Sequence, residues 1–208
     1  MGRSVNSLRR QAPRYKPQPT VLVICEDTKS GKRYLEDASR HFRVEVQVEI
    51  TNCGRTDPRG IVAEALARQG KFDRIFCVID RDTHPNFDEA LVEAKRSPKV
   101  DVIASYPCFE FWLLLHYEYT TKPFTAAGNK SAAETLIERL RTHSGMGDYA
   151  KGSAQSIFQS LIGDKFEDAR LRSPLVHQNA QECKDMNPST RLHDLMDFFE
   201  ELSKLQPI

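Results

Sequence analysis

Two short apolar runs, 20–25 (TVLVIC) and 74–80 (RIFCVID), indicate strands buried inside a sheet. Continuous runs rich in β-branched residues are typical of strands that are covered on both faces. The segment 44–51 (VEVQVEIT) alternates strictly, which predicts a strand with one wetter face nearer a sheet edge. A fourth strand is predicted at 100–106 (VDVIASY). Helical patterns separate these strands, so the order β-α-β-α-β-α-β predicts an α/β fold, a three-layer sandwich with a mostly parallel sheet.

The second half of the chain has a helical pattern instead. The apolar block 108–117 (CFEFWLLLHY) predicts a helix whose aromatic residues, Phe109, Phe111 and Trp112, belong to the core. We therefore expect three parts: a flexible basic arm at 1–19, an α/β core at 20–107, and a C-terminal helical layer at 108–208 packed on that core.

Local signals mark the ends of the later helices. Ser131 and Glu134 form a capping-box pattern at the start of a helix over 131–141. A further helix is predicted over 153–170. The last helix is predicted to begin at Asn187 and Pro188, with the asparagine as its cap and the proline at its first position.

The formal net charge of +1 conceals an uneven distribution along the chain. The basic arm has five basic residues and no acidic one, so the rest of the chain has a net charge of −4. The five are Arg3, Arg9, Arg10, Arg14 and Lys16. Such an arm can contact the phosphate backbone of nucleic acid, and we expect Arg9, Arg10 and Arg14 to do so. A solubilising tail is the alternative.

Several classes of protein are not supported by the sequence. The five cysteines are scattered and include no C-x-x-C pair, which argues against a disulfide framework or a zinc site. No apolar run approaches the ~20 residues of a membrane-spanning helix, and the N-terminus has no apolar signal-peptide core. We expect a protein of the reducing cytoplasm without membrane association.

Acidic residues follow two of the buried strands. Glu26 and Asp27 come after the first run, and Asp80 and Asp82 close and follow the run at 74–80. Ligands of open α/β sheets bind at the carboxyl ends of the strands, and carboxylate oxygens suit Mg²⁺. Glu26, Asp80 and Asp82 are therefore candidate ligands for one or two metal ions. The alternative is that these acids are solvated turn residues.

This arrangement resembles the Toprim fold of topoisomerases, primases and related nucleases, which place a glutamate after the first strand and Asp-x-Asp after the third. The chain is more specifically similar to the RloB-like family, Toprim-related proteins of bacterial phage-defence and abortive-infection loci. The similar segments are VLVICEDTKSGKRYLE (21–36), FCVIDRDTH (76–84), SYPCFEFWLLLHYE (105–118), YAK (149–151) and NPST (187–190). Family members commonly have Cys-Glu-Gly-Glu where this chain has Cys-Glu-Asp-Thr at 25–28.

The resemblance implies a metal-dependent nuclease that uses Mg²⁺ or Mn²⁺. It implies that Glu26, Asp80 and Asp82 hold the metal, and that Glu110 and Lys151 are additional catalytic residues. It also implies an AAA-type, RloA-like ATPase as partner, nucleic acid as substrate, and a role in anti-phage defence. A homo-oligomer is compatible with the sequence.

Roles without a catalytic function are the alternative for several of these residues. Glu110 could instead pair with an arginine inside the helical layer, and Lys151 could be an exposed loop lysine. His84 is interpreted as a solvent-facing turn residue, with proton transfer or a phosphate contact as the alternatives. Arg81, between the two aspartates, is a further predicted nucleic-acid contact.

Two other functions are compatible with the sequence. A phosphatase of the haloacid-dehalogenase type would use Asp80 as nucleophile, because residues 80–83 (DRDT) fit D-x-D-x-T and residues 163–168 (GDKFED) imitate its later acids. However, two strand–helix units precede Asp80 here, whereas that nucleophile normally ends the first core strand. The other alternative is a non-catalytic, nucleic-acid-binding adaptor of a defence complex.

Overall fold

The computed structural model describes residues 18–81, 84–152 and 156–205. Its strands are β1 (Val21–Cys25), β2 (Val48–Thr51), β3 (Arg74–Asp80), β4 (Val100–Tyr106) and β5 (Ser189–Thr190). Its helices are α1 (Ser30–His41), α2 (Pro58–Arg68), α3 (Phe87–Ala94), α4 (Glu110–Leu115), α5 (Ala132–Arg141), α6 (Ile157–Leu161), α7 (Asp164–Cys183) and α8 (Leu192–Lys204).

The strands form one sheet in the order β2-β1-β3-β4-β5. The pairs among β1 to β4 are parallel, and the two-residue β5 runs antiparallel to β4. This confirms the predicted α/β fold with a mostly parallel sheet. Because neighbouring strands are in register, Cys25 lies opposite Val78 and Asp80 opposite Ser105, so the carboxyl ends of three strands meet at one edge.

The sheet separates two hydrophobic cores. Val21 and Val23 of β1 belong to one core, together with buried residues of α1, α4, α7 and α8. Leu22 and Ile24 belong to the other core, with residues of α2 and α3. Alternate residues of one apolar strand are thus covered by different helices, which confirms the three-layer arrangement and explains why this strand has no polar face.

The aromatic block of α4 packs into the first core, as predicted. Phe109 is 3% exposed, and Phe111 and Trp112 are fully buried. Burying such a side chain contributes about 1.5–3 kcal/mol relative to exposure. α4 is therefore anchored firmly behind the carboxyl edge of the sheet, and its first residue is fixed in position there.

The prediction of a strand over 44–51 is wrong at 44–47. Val44 donates its backbone N–H to Ser39 O at the end of α1, and its own carbonyl accepts from Gln47 and Val48. These bonds form turns, so the ladder with β1 begins only at Val48. Val46 is 89% exposed, so the alternation of 44–47 reflects a turn that buries Val44 alone.

Two predictions about the later helices are also wrong. The helix expected over 153–170 is interrupted at Gly163, whose φ of +89° ends the path of α6 before α7 begins; residues 153–155 lie outside the described residues. Asn187 does not cap α8. Its side-chain amide instead bonds the backbone N–H and carbonyl of Phe124, and α8 begins only at Leu192. The capping box of Ser131 and Glu134 is confirmed.

No helix within the described ranges is long and apolar enough to cross a membrane. The predicted phosphate contacts Arg9, Arg10 and Arg14 lie outside the described residues, and the predicted part boundaries at 19 and 107 stay predictions.

Candidate acidic site at the carboxyl edge of the sheet

Three carboxylates come from the ends of neighbouring strands. Glu26 follows β1, Asp80 is the last residue of β3, and Glu110 is the first residue of α4, shortly after β4. Their positions follow from the parallel sheet, because every parallel strand presents its carboxyl end to the same edge. The structure therefore brings three of the predicted site residues to one place.

Glu26 is held firmly against β3. Its Oε2 accepts the backbone N–H of Asp80 at 2.9 Å, and its Oε1 lies 2.9 Å from Nε2 of His84. Asn52, after β2, donates its amide to the backbone carbonyls of Cys25 and Glu26 at 2.8 Å each. The carboxylate thus has a fixed orientation. The interpretation of His84 as a solvent-facing residue is wrong, since its ring is bonded to Glu26 and only 27% of its side chain is exposed.

Asp80 lies in an environment that disfavours its charge. Burial raises the pKa of Asp80 well above its ordinary value, and the negative charge of Glu110 raises it further. Lys151 acts in the opposite direction, Glu26 adds to the rise, and a hydrogen bond from the Phe109 backbone lowers the pKa. Like-charge repulsion of this kind is relieved by a bound cation.

Glu110 is a buried acid, with 1% of its surface exposed. Its Oε1 accepts the hydroxyl of Tyr149 at 2.9 Å. Its Oε2 lies 3.3 Å from Nζ of Lys151 but accepts no well-directed hydrogen bond. The alternative in which an arginine pairs with Glu110 is wrong, because the cation beside it is a lysine. Burial and the neighbouring Glu110 charge raise the pKa of Tyr149, so this phenol stays a hydrogen-bond donor.

Lys151 is placed by a loop that is fastened to the first turn of α1. The backbone N–H of Gly152 donates to Ser30 Oγ at 3.1 Å. Gly152 has φ +82°, a backbone conformation that side chains with a Cβ rarely adopt, so glycine is favoured at this position. Lys151 is 47% exposed. Burial opposes its charge, but attraction to Glu110 outweighs this and raises the pKa of Lys151.

Asp27 has a structural role at this edge. Its carboxylate accepts the backbone N–H groups of Lys29, Ser30 and Gly31 at 2.8, 2.6 and 3.0 Å. Lys29 is the N-cap residue of α1, and Ser30 and Gly31 are its first two residues. Their N–H groups have no partner within the helix, so Asp27 satisfies them from two positions before the N-cap. The aspartate found at the position where family members commonly have glycine is therefore directed toward α1, and Glu26 keeps its own contacts.

Of the predicted site residues that directly follow Asp80, the structure describes Arg81 but not Asp82. Asp82 lies outside the described residues. Arg81 donates from Nη1 to the carbonyl of His84 at 2.8 Å and stacks over the ring of Phe87, with 5.1 Å to the centroid. Its guanidinium is thus engaged within the chain, and its contact with nucleic acid stays a prediction.

The donor chemistry of the site suits a hard divalent cation. Carboxylate oxygens are the ligands that Mg²⁺ and Mn²⁺ prefer, and Glu110 Oε2 is a buried oxygen without a hydrogen bond. Within 18–81, 84–152 and 156–205, no group of three or more His, Cys, Asp or Glu side chains is arranged to hold a metal ion. The predicted ligand set also includes Asp82, which lies outside the described residues, so the metal site stays a prediction.

The acids that suggested a phosphatase lie elsewhere in the fold. Gly163 precedes α7, and Asp164 and Asp168 belong to that helix rather than to a strand end. Asp168 pairs with Arg172 one turn later, at 2.8 Å. The segment 163–168 is thus the start of a helix with an ordinary i,i+4 ion pair.

Two residues of the site were missed by sequence reasoning. Tyr149 bonds Glu110 across 39 positions of sequence; it belongs to the family-like segment YAK (149–151), in which only Lys151 was given a role. Asn52 could have been found, because it directly follows β2 at the same sheet edge, where a side-chain amide can fasten a neighbouring strand end.

Comparisons with known proteins give one result. No curated protein and no solved structure matches the chain. The model of the RloB-like protein family matches residues 21–199, which include β1, β3, α4 and every described residue of the acidic site. The chain therefore belongs to the RloB-like family.

Proposed function

We propose that this protein is a metal-dependent nuclease that hydrolyses phosphodiester bonds of nucleic acid, with a Toprim-like arrangement of its acids. The observation that supports this most strongly is the convergence of Glu26, Asp80 and Glu110 from three strand ends, beside the ammonium group of Lys151. A cluster of carboxylates is unfavourable by itself and becomes favourable with a divalent cation.

The proposed roles follow from the contacts of each residue. Glu26, Asp80 and Asp82 would hold Mg²⁺ or Mn²⁺, which supplies neutralisation of the phosphate and a lowered pKa of the attacking water. Asn52 and His84 fix the orientation of Glu26. Lys151 is half exposed, so its ammonium can move from Glu110 toward a phosphate oxygen and stabilise the charge that develops there.

The biological setting is proposed from the family. The resemblance to RloB-like proteins of phage-defence loci implies an AAA-type ATPase as partner. We propose that this chain acts in phage defence with such an ATPase. The arginines of the basic arm and Arg81 would contact the substrate backbone. Base-specific reading is not part of the proposal, because phosphate contacts position a nucleic acid without reading its sequence.

The test is a cleavage assay on the purified chain, with and without its ATPase partner. DNA, total RNA and tRNA are incubated with Mg²⁺, Mn²⁺ or EDTA, using wild type, Asp80→Asn and Asp27→Asn. Asp27→Asn is the matched control, because it removes an acid from the same edge while the amide oxygen can still accept the N–H groups of Ser30 and Gly31. We expect cation-dependent cleavage by wild type and Asp27→Asn, and its loss in Asp80→Asn.

Two results would contradict the proposal. Equal cleavage by wild type and Asp80→Asn would remove Asp80 from the catalytic site. Absence of cleavage of every substrate, even with the ATPase present, would favour the non-catalytic adaptor.

A further inference from the structure

A groove of about 270 Å³ lies between α8 and the sheet, away from the acidic site. Phe76 of β3 and Phe198 of α8 form its apolar floor, with ring centroids 4.9 Å apart. Four carboxylates line it. We call this surface the acidic groove; its acids are Asp101, Asp194, Asp197 and Glu201.

The acidic groove has more negative than positive charge. Arg74 and Arg191 also line it, and they pair with Asp101 and Asp194. Asp197 accepts from Arg170 at 2.6 Å but is 52% exposed. Glu201 is exposed and forms no ion pair with any residue that the structure describes. The lining of the groove thus has two more carboxylates than guanidinium groups.

The described chain begins beside one end of this groove. Gln18 donates its side-chain amide to the carbonyl of Leu205, directly after α8, at 2.9 Å. Thr20 is fastened by two hydrogen bonds to Asp73. Residues 1–17 of the basic arm, with five basic side chains and no acidic one, are therefore tethered at the carboxyl end of the acidic helix α8.

The segment of the basic arm that precedes Gln18, which acts as a tether, is long enough to cover the whole groove. Leu205 and Asp194 are about 17 Å apart along the helix axis, at 1.5 Å per residue. The nine residues from Arg9 to Pro17 can extend over about 30 Å. Arg9, Arg10, Arg14 and Lys16 can all reach carboxylates of α8.

We propose that the basic arm docks in the acidic groove of its own chain, with Lys16 and Arg14 opposite Glu201 and Asp197. Arg9 and Arg10 then lie opposite Asp194. Exposed ion pairs are individually weak, but the tether gives the arm a high effective concentration at the groove. Nucleic-acid phosphates would compete for the same basic side chains, so the docked arm describes the protein without substrate. This inference does not depend on nuclease activity.

Zero-length carbodiimide cross-linking at low salt tests the docking on the full chain. The reagent joins Lys16 to a carboxylate in direct contact, and mass spectrometry of a mixture of ¹⁴N- and ¹⁵N-labelled protein separates links within a chain from links between chains. We expect links from Lys16 to Glu201 or Asp197 within one chain. If every link joins two different chains, the groove binds the arm of a second copy and the proposal is wrong. If Lys16 forms no link to the groove at all, the proposal is also overturned.

A charge-swap series provides a second readout. Trypsin cleavage after Arg9 and Arg10 is timed in wild type, Glu201→Lys and Glu182→Lys, the last changing an exposed acid of α7 by the same charge. We expect Glu201→Lys to accelerate cleavage about fivefold, the effect of one or two exposed ion pairs, and Lys16→Glu to restore protection in that variant. Equal rates in Glu201→Lys and Glu182→Lys would refute the docking.

Discussion

The hydrogen bond from Tyr149 to Glu110 gives a prediction whose size can be worked from the structure. Tyr149 is 5% exposed and Glu110 is 1% exposed, with 2.9 Å between the phenol oxygen and Oε1. A hydrogen bond to a charged group contributes about 1.5–3 kcal/mol. The remaining partner of Glu110 is Lys151, whose Nζ lies 3.3 Å from Oε2 and whose side chain is half exposed.

We therefore expect Tyr149→Phe to lower the free energy of unfolding by about 2 kcal/mol, since the buried carboxylate loses its best donor. In a Glu110→Gln background the same change removes only a bond between neutral groups and is expected to cost about 1 kcal/mol. The coupling between the two sites is then about 1 kcal/mol. The assay is urea denaturation at pH 7, with unchanged m-values as the check that the transition stays comparable.

Tyr119→Phe is the matched control, because Tyr119 is 51% exposed and the change should stay within about 0.5 kcal/mol. The reasoning would be refuted if Tyr149→Phe cost no more than Tyr119→Phe. It would also be refuted if Tyr149→Phe cost the same with glutamate or glutamine at position 110.

Two further predictions concern stability away from the site. Burial lowers the pKa of His116 from 6.5 to about 4. The unfolded chain therefore binds the proton first, so the free energy of unfolding should fall by about 3 kcal/mol between pH 6.5 and 4 through this residue. His116→Gln should lack that component in urea denaturation at several pH values, and an identical pH profile for both proteins would contradict the assignment. Ser131→Ala should lower the free energy of unfolding by about 1 kcal/mol. The reason is that Ser131 Oγ accepts the Glu134 N–H and the Glu134 side chain accepts the Ser131 N–H. A change below about 0.3 kcal/mol in thermal or urea denaturation would show that the cap contributes little.

The fold was predictable from the sequence where a residue pattern is compatible with only one kind of element, such as a continuous apolar run with a buried strand. The run 21–25 has no polar position, and the structure covers Val21 and Leu22 with different cores. The convergence of Glu26 and Asp80 followed from parallel topology alone. Alternation was a weaker guide: Val44 and Val48 are both buried, but a turn rather than a strand connects them.

Contacts between distant segments were not predictable from local patterns. β5 has only two residues, Ser189 and Thr190, which is too short for any periodicity, and its pairing with β4 replaces the expected helix start. The Tyr149–Glu110 bond joins a loop to a helix. The capping role of Asp27 depends on the exact path between β1 and α1, and an acid after a strand can equally bind a metal.

The most direct test of the central claim is calorimetric titration of the metal-free chain with Mn²⁺, comparing wild type with Asp80→Asn and Asp27→Asn. Burial and the charges of Glu110 and Glu26 disfavour the charged form of Asp80, whereas the carboxylate of Asp27 accepts N–H groups at the start of α1. We predict saturable binding to wild type and Asp27→Asn with similar affinity, and binding at least about tenfold weaker in Asp80→Asn, the effect of losing one ligand worth about 1.4 kcal/mol or more. Equal affinity in all three proteins, or no binding to wild type, would contradict a metal site at the carboxyl edge of the sheet.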